Sequence, residues 1–120
     1  MAGLTGRVRA AFFAVVCLLI ALPANGHAIL KDSIPAPHSV VSGTDIIISL
    51  KFNSRIDATH SRLYLDGGKH SQQIEIAPQA APDTLLGQAK NMAAGNYRIQ
   101  WQVLAVDGHI TRGEVPFTVR

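Results

Sequence analysis

A chain of 120 residues with 11 basic and 8 acidic side chains, one cysteine and 48% apolar residues has room for one small domain. Its Lys and Arg are dispersed, which excludes the basic surface that a nucleic-acid partner needs. A single thiol excludes a disulfide framework, so packing alone must hold the fold.

The first element is a segment for export rather than a part of the fold. Met1 to Gly26 opens with Arg7 and Arg9, runs through apolar residues from Ala10 to Leu22 and closes on Pro23-Ala24-Asn25-Gly26, small residues of the kind a signal peptidase inspects. The apolar run is well short of the ~20 residues a helix needs to cross the hydrocarbon core, so a cleaved secretory signal at 1–26 is expected rather than an anchor. Cys17 leaves with it, as do Arg7 and Arg9, and the nine remaining basic residues face eight carboxylates. The mature, soluble domain is then 27–120, with His27 as its first residue.

From there the pattern alternates. Pro35-Ala36-Pro37 ends the first strand, because proline cannot donate to a sheet ladder. In Asp45 to Phe52, the residues Ile46, Ile48, Leu50 and Phe52 share one side of a strand while Ile47, Ser49 and Lys51 take the other. Shorter runs of the same kind are Arg62 to Leu65, Gln73 to Ala77 and Val115 to Val119, and Ile76 to Pro82 reads as a loop. Leu85 to Ala93 fits a helical turn and a strand equally. Tyr97 to Ala105 is the clearest element: Tyr97, Ile99, Trp101, Val103 and Ala105 face one way and Arg98, Gln100 and Gln102 the other, as in a strand covered on one side. Turn residues at Ser42-Gly43-Thr44-Asp45, Asp66-Gly67-Gly68-Lys69, Gly95-Asn96 and Asp107-Gly108 separate these runs. About seven short strands without a 3.6-period segment predict an all-β, Greek-key β-sandwich.

Metal-ligating chemistry gathers at two places far apart in the chain. Processing before His27 gives a metal both an amine and an imidazole nitrogen at one residue. In Asp107-Gly108-His109 the i and i+2 side chains of an extended segment leave on the same side, and the glycine between them removes bulk. Three nitrogens and one oxygen in a square suit Cu(II), with zinc the fallback. The amine's reference pKa of about 7.7 to 8.0 lets a tightly held ion displace its proton near neutral pH. Taken residue by residue, each piece also has a plainer explanation: Asp-Gly is above all a hairpin signal, and a lone histidine is more often a half-exposed polar residue than a ligand.

Together the pieces form a pattern. His27-Ala28-x-Leu30-x-x-Ser33-x-Pro35-Ala36, Leu50-x-Phe52-Asn53 and Gly95-x-Tyr97-x-x-x-Trp101-x-Val103-x-x-x-Asp107-Gly108-His109-x-x-x-Gly113-x-x-x-Phe117-x-Val119 resemble the CopC family of periplasmic copper-binding, copper resistance proteins. The resemblance spans nearly all of the mature chain. It implies a cupredoxin-like sandwich, close to immunoglobulin-like folds, in the periplasm. It also implies one Cu(II) per chain on His27 (amine and side chain), Asp107 and His109, and a carrier or buffer role in copper homeostasis rather than an enzyme. A CopD-like inner-membrane copper transporter would be the partner. Two departures stand out. Met92 is the one methionine after residue 26, so the methionine-rich Cu(I) site of some members is not expected. Ser54 stands where the family often has an acidic residue after Phe-Asn, leaving Asn53 or a water to support the terminal amine.

The remaining histidines, His38, His60 and His70, lie in polar, turn-like stretches and read as solvated surface residues. Trp101, Tyr97, Phe52 and Phe117 read as core. Two other functions compete with the copper carrier. One is a copper monooxygenase acting on polysaccharides, which shares the terminal-histidine device but would need aromatics free to bind sugar, and the other is a metal-free immunoglobulin-like structural module.

Overall fold

The computed structural model describes residues 28–67 and 70–120. The expected signal segment and His27 lie outside the described residues. Among those described, the chain forms eight strands and no helix: β1 Leu30–Ile34, β2 Val40–Val41, β3 Ile46–Phe52, β4 Ile56–Gly67, β5 His70–Ile74, β6 Thr84–Ala89, β7 Gly95–Ala105 and β8 Ile110–Val119. They build a three-stranded sheet in the order β1-β3-β6 and a five-stranded sheet in the order β2-β8-β7-β4-β5. Pairing is antiparallel except between β2 and β8. The all-β sandwich is therefore as the alternation predicts, with the two-residue β2 as an additional strand.

Each sheet hides one face. Ile46, Ile48, Leu50 and Phe52 of β3 are buried with Ile47 and Lys51 outside, and Ile99, Trp101, Val103 and Ala105 of β7 are buried with Arg98 outside. The two inner faces, joined by Leu63 and Leu65 of β4, Leu85 of β6 and Val115 of β8, make the core. Of Leu85 to Ala93, which fits helix and strand equally by sequence, residues 90 to 93 lie in neither, and Leu85 to Ala89 lie in β6, paired along its length with β3. Gly87 at its centre lets it approach β5: a Cβ there would come within 2.8 Å of the Ile74 Cγ2. β1 stops at Ile34, immediately before Pro35, as its missing N–H dictates.

The largest core side chain needs a vacancy opposite it. Trp101 pairs in register with Gly113, and the indole ring lies over that glycine while Phe52 meets it edge-on at 5.0 Å and 74°. A methyl group at Gly113 would overlap the ring itself. Gly113→Ala should therefore destabilise the protein by about 1–3 kcal/mol, the usual cost of overpacking a close-packed core. Equilibrium urea unfolding measures this, and an unchanged midpoint would show that the ring has somewhere else to go.

Candidate metal centre

β7 and β8 are joined at the end of the sandwich by Val106-Asp107-Gly108-His109. The loop is closed from within: the Gly108 N–H donates to the Ala105 carbonyl at 2.9 Å, and the Ala105 N–H donates to the His109 carbonyl at 2.9 Å. Gly108 sits at φ +91°, in the region that favours glycine, and a Cβ there would touch nothing, so conformation rather than crowding selects it. The Asp107 carboxylate works in both directions. Its Oδ1 accepts the His109 backbone N–H at 3.1 Å and its Oδ2 lies 3.1 Å from the His109 Nδ1. The two side chains do converge, although by the turn and not by the alternation of an extended segment: residues 106 to 109 lie outside both strands.

This separation permits a shared ion. Adjacent donors around a metal with bonds of about 2.0 Å lie roughly 2.8 Å apart in a square and roughly 3.3 Å apart in a tetrahedron, and 3.1 Å falls between. Both side chains are partly open to solvent, Asp107 at 38% and His109 at 57%, which leaves an ion a path of entry. Among the described residues they form no cluster of three or more Asp, Glu, His or Cys, and the third expected ligand, His27, lies outside that set.

The first described residues come to the same end of the sandwich. Ala28 is buried in the core at 1% exposure. Ile29 is held by Asn53, just past the end of β3: the Ile29 N–H donates to the Asn53 Oδ1 at 2.8 Å, and the Asn53 N–H donates to the Ile29 carbonyl at 3.0 Å. Two residues further on, the Arg55 carbonyl accepts the Val106 N–H at 3.4 Å. The segment Asn53-Ser54-Arg55 thus bridges Ile29 and the Asp107-His109 hairpin. Ser54 keeps its Oγ buried without a hydrogen-bond partner, at the position where an acidic residue is absent.

Two other histidines are placed elsewhere. The backbone of His38 bonds to Pro116 and that of His70 pairs with Gly67. These partners sit opposite Arg98 and Tyr97, so both are at the far end of β7, roughly 20–26 Å from Ala105 at a rise of about 3.3 Å per residue. His60 is nearer, and it lies on the surface as expected. Although exposed, it is paired: its Nδ1 lies 2.8 Å from the Asp57 Oδ2, and its backbone N–H donates to the Asp57 Oδ1 at 3.3 Å. A register irregularity between Asp57 and Arg62 brings the two together, steadied by Ser61, whose hydroxyl donates to the Asp57 carbonyl and accepts the Leu104 N–H. The hydrogen bond to His60 holds the Asp57 carboxyl below its ordinary pKa. Asp57-x-x-His60 was the available sequence signal, and it is too common to single out.

The described residues define an all-β, two-sheet sandwich that presents an aspartate–histidine pair on an end hairpin. A family model, the CopC domain, matches residues 30–120, and the chain belongs to the CopC family. It is similar to Copper resistance protein C of Escherichia coli, 28% identical over 110 residues covering 84% of this chain and 87% of that one. It is also similar to Protein YobA of Escherichia coli K12, 26% identical over 125 positions covering all of both chains. Among solved structures, CopC from Methylosinus trichosporium OB3b superposes with a TM-score of 0.70 at 27% identity, over 78% of this chain and 93% of that one. PcoC, a methionine-rich copper resistance protein from Escherichia coli, does so with a TM-score of 0.65 at 28% identity, over 78% and 99%.

The Asp57–His60 pair has a pH signature. Because the folded-state pKa of Asp57 is depressed, its contribution is present above the unfolded Asp value of about 3.9 and is lost as pH falls through the lower folded value. Asp57→Asn should be less stable than wild type at pH 6, and the gap should close as pH drops below about 4. Urea unfolding of both proteins across that range checks it, and a gap independent of pH would dismiss the interaction.

Proposed function

We propose that the protein is exported, is processed before His27, and in the periplasm holds one Cu(II) ion on the amine and imidazole of His27, the Asp107 carboxylate and the His109 imidazole. It acts as a carrier or buffer in copper homeostasis and resistance, without catalysing a reaction, and delivers copper to a CopD-like inner-membrane transporter. The observation that carries this reading is the 3.1 Å approach of the Asp107 Oδ2 and the His109 Nδ1, on a hairpin bridged by Asn53 to Arg55 to the first residues of the domain. Membership of the CopC family and likeness to proteins named for copper resistance support the choice of metal.

The chain's own residues have separable tasks. Asp107 brings one negative charge to the ion and, through its other oxygen, fixes the backbone of His109. The amine of His27 exists only after cleavage, since in the unprocessed chain that nitrogen is an amide. The donor set, three nitrogens and one oxygen, favours Cu(II). Met92, the one methionine of 27–120, is buried at 7% exposure, so its thioether belongs to the packing, and one thioether makes no soft-ligand cluster.

Mature protein should bind one Cu(II) with a tetragonal paramagnetic resonance spectrum, and intact-mass analysis with and without copper should report both the cleavage site and the metal count. One extra residue before His27, or His109→Ala, should weaken binding sharply, and Asp107→Asn should do so more mildly because an amide oxygen still faces the ion. Full affinity and an identical spectrum in the extended protein would remove the amine from the ligand set. Rapid reductant-driven peroxide production by the copper-loaded protein would favour the monooxygenase reading instead.

A further inference from the structure

Chain termini fray unless something ties them down, yet the residue that would be second in the mature protein, Ala28, is buried in the core. The contact that continues this order toward the sheet is unusual in kind. Opposite residues of an antiparallel hydrogen-bonded pair normally exchange two backbone bonds. Here the Asn53 N–H serves the Ile29 carbonyl in the ordinary way at 3.0 Å, whereas the Ile29 N–H is received by the Asn53 side-chain oxygen at 2.8 Å. The carboxamide thus stands in for the backbone carbonyl. The strand is thereby paired one residue past the end of β3, where the chain already turns toward β4.

We infer that Asn53 is a positioning residue for the copper site, acting on His27 through Ile29 and Ala28; the inference rests on the proposed Cu(II) reading. Holding both polar groups of Ile29 leaves His27 one buried residue away from a fixed point. The freedom that His27 must surrender when its amine and ring meet Asp107 and His109 is then already reduced, and an ion binding a preorganised donor loses less affinity to ordering. The same segment receives the Val106 N–H at the Arg55 carbonyl, so Asn53 ties Ile29 to a stretch of chain that is itself bonded to the hairpin. Asn53 meets no metal itself in this account. Its exposed position means that water competes for the Ile29 N–H, which sets the effect at the scale of one hydrogen bond.

The test uses mature, processed protein and substitutions at Asn53 and His109. Asn53→Ala should lower Cu(II) affinity roughly three- to tenfold, the equivalent of one net hydrogen bond, and broaden or shift the paramagnetic resonance spectrum. In the metal-free protein the Ile29 amide should lose hydrogen-exchange protection while core strands keep theirs. Asn53→Asp, whose carboxylate accepts the same N–H, should restore the affinity, the spectrum and the protection. If Asn53→Ala does not fold, Asn53→Ser, too short to reach the amide, takes its place. Affinity within about 1.5-fold and an unchanged spectrum in a variant that has lost the Ile29 protection would overturn the positioning role. If in addition His109→Ala still abolishes binding, the copper reading stands alone; wild-type mature protein that binds no Cu(II) overturns both.

Discussion

Phe52 meeting Trp101 edge-on at 5.0 Å is the contact on which the working end of the sandwich depends. Phe52 closes β3 and is followed directly by Asn53, which anchors Ile29, and Trp101 lies on the strand that runs into the Asp107-His109 hairpin. Joining the two rings therefore ties β3 of one sheet to β7 of the other, strands that do not pair with each other. With no cysteine after Cys17, this junction and the alternating aliphatic layers around it must supply the rigidity that many other small domains obtain from disulfides. Gly113 makes the junction possible by leaving room for the indole on the neighbouring strand, which ties a residue of the recurrent motif to packing rather than to chemistry.

Strands with an unbroken period of two were legible in the sequence, and those with a broken one were not. β3 and β7 alternate cleanly because each has one wet and one dry face. β4 is twelve residues long, yet only Arg62 to Leu65 stood out, since the irregularity between Asp57 and Arg62 shifts the phase and hides the first half of the strand. β6 was ambiguous because Leu85-Leu86-Gly87 places two leucines side by side and a glycine at an inward position, where Ile74 requires it. β2 has two residues and no period to read; it exists because Thr118 and Arg120 donate to the carbonyls of Ser39 and Val41.

The candidate site was legible for a different reason. Asp107 and His109 are adjacent in a pattern whose turn chemistry and donor chemistry coincide: the glycine that permits φ +91° is the one that lets the side chains meet. The supporting residues were harder to find. Asp57 and His60 are three apart, a spacing without meaning in a regular strand, and only the local irregularity makes them partners. Asn53 followed Phe52 in the motif, but nothing in its identity says that its side chain replaces a backbone acceptor. That substitution depends on where β1 begins relative to the end of β3, a tertiary fact.

The placement of the donors also bears on what an ion would do to the fold. In the proposed site, one pair of donors belongs to the first residue of the mature chain and the other to a hairpin near its end, so an ion held by all of them links segments that are distant along the unfolded chain. The amine and imidazole of His27 form a chelate even in an unfolded chain, whereas Asp107 and His109 meet only once the hairpin closes on the Ala105 and His109 backbone. The gain from binding is thus concentrated in the folded state, and stability follows the ratio of free ion to dissociation constant. Partial exposure of Asp107 and His109 works the other way, keeping the ion within reach of an incoming ligand. In the proposed site the protein would become firmer when loaded without burying the ion, so that tight holding and ready release are set by different parts of the same geometry.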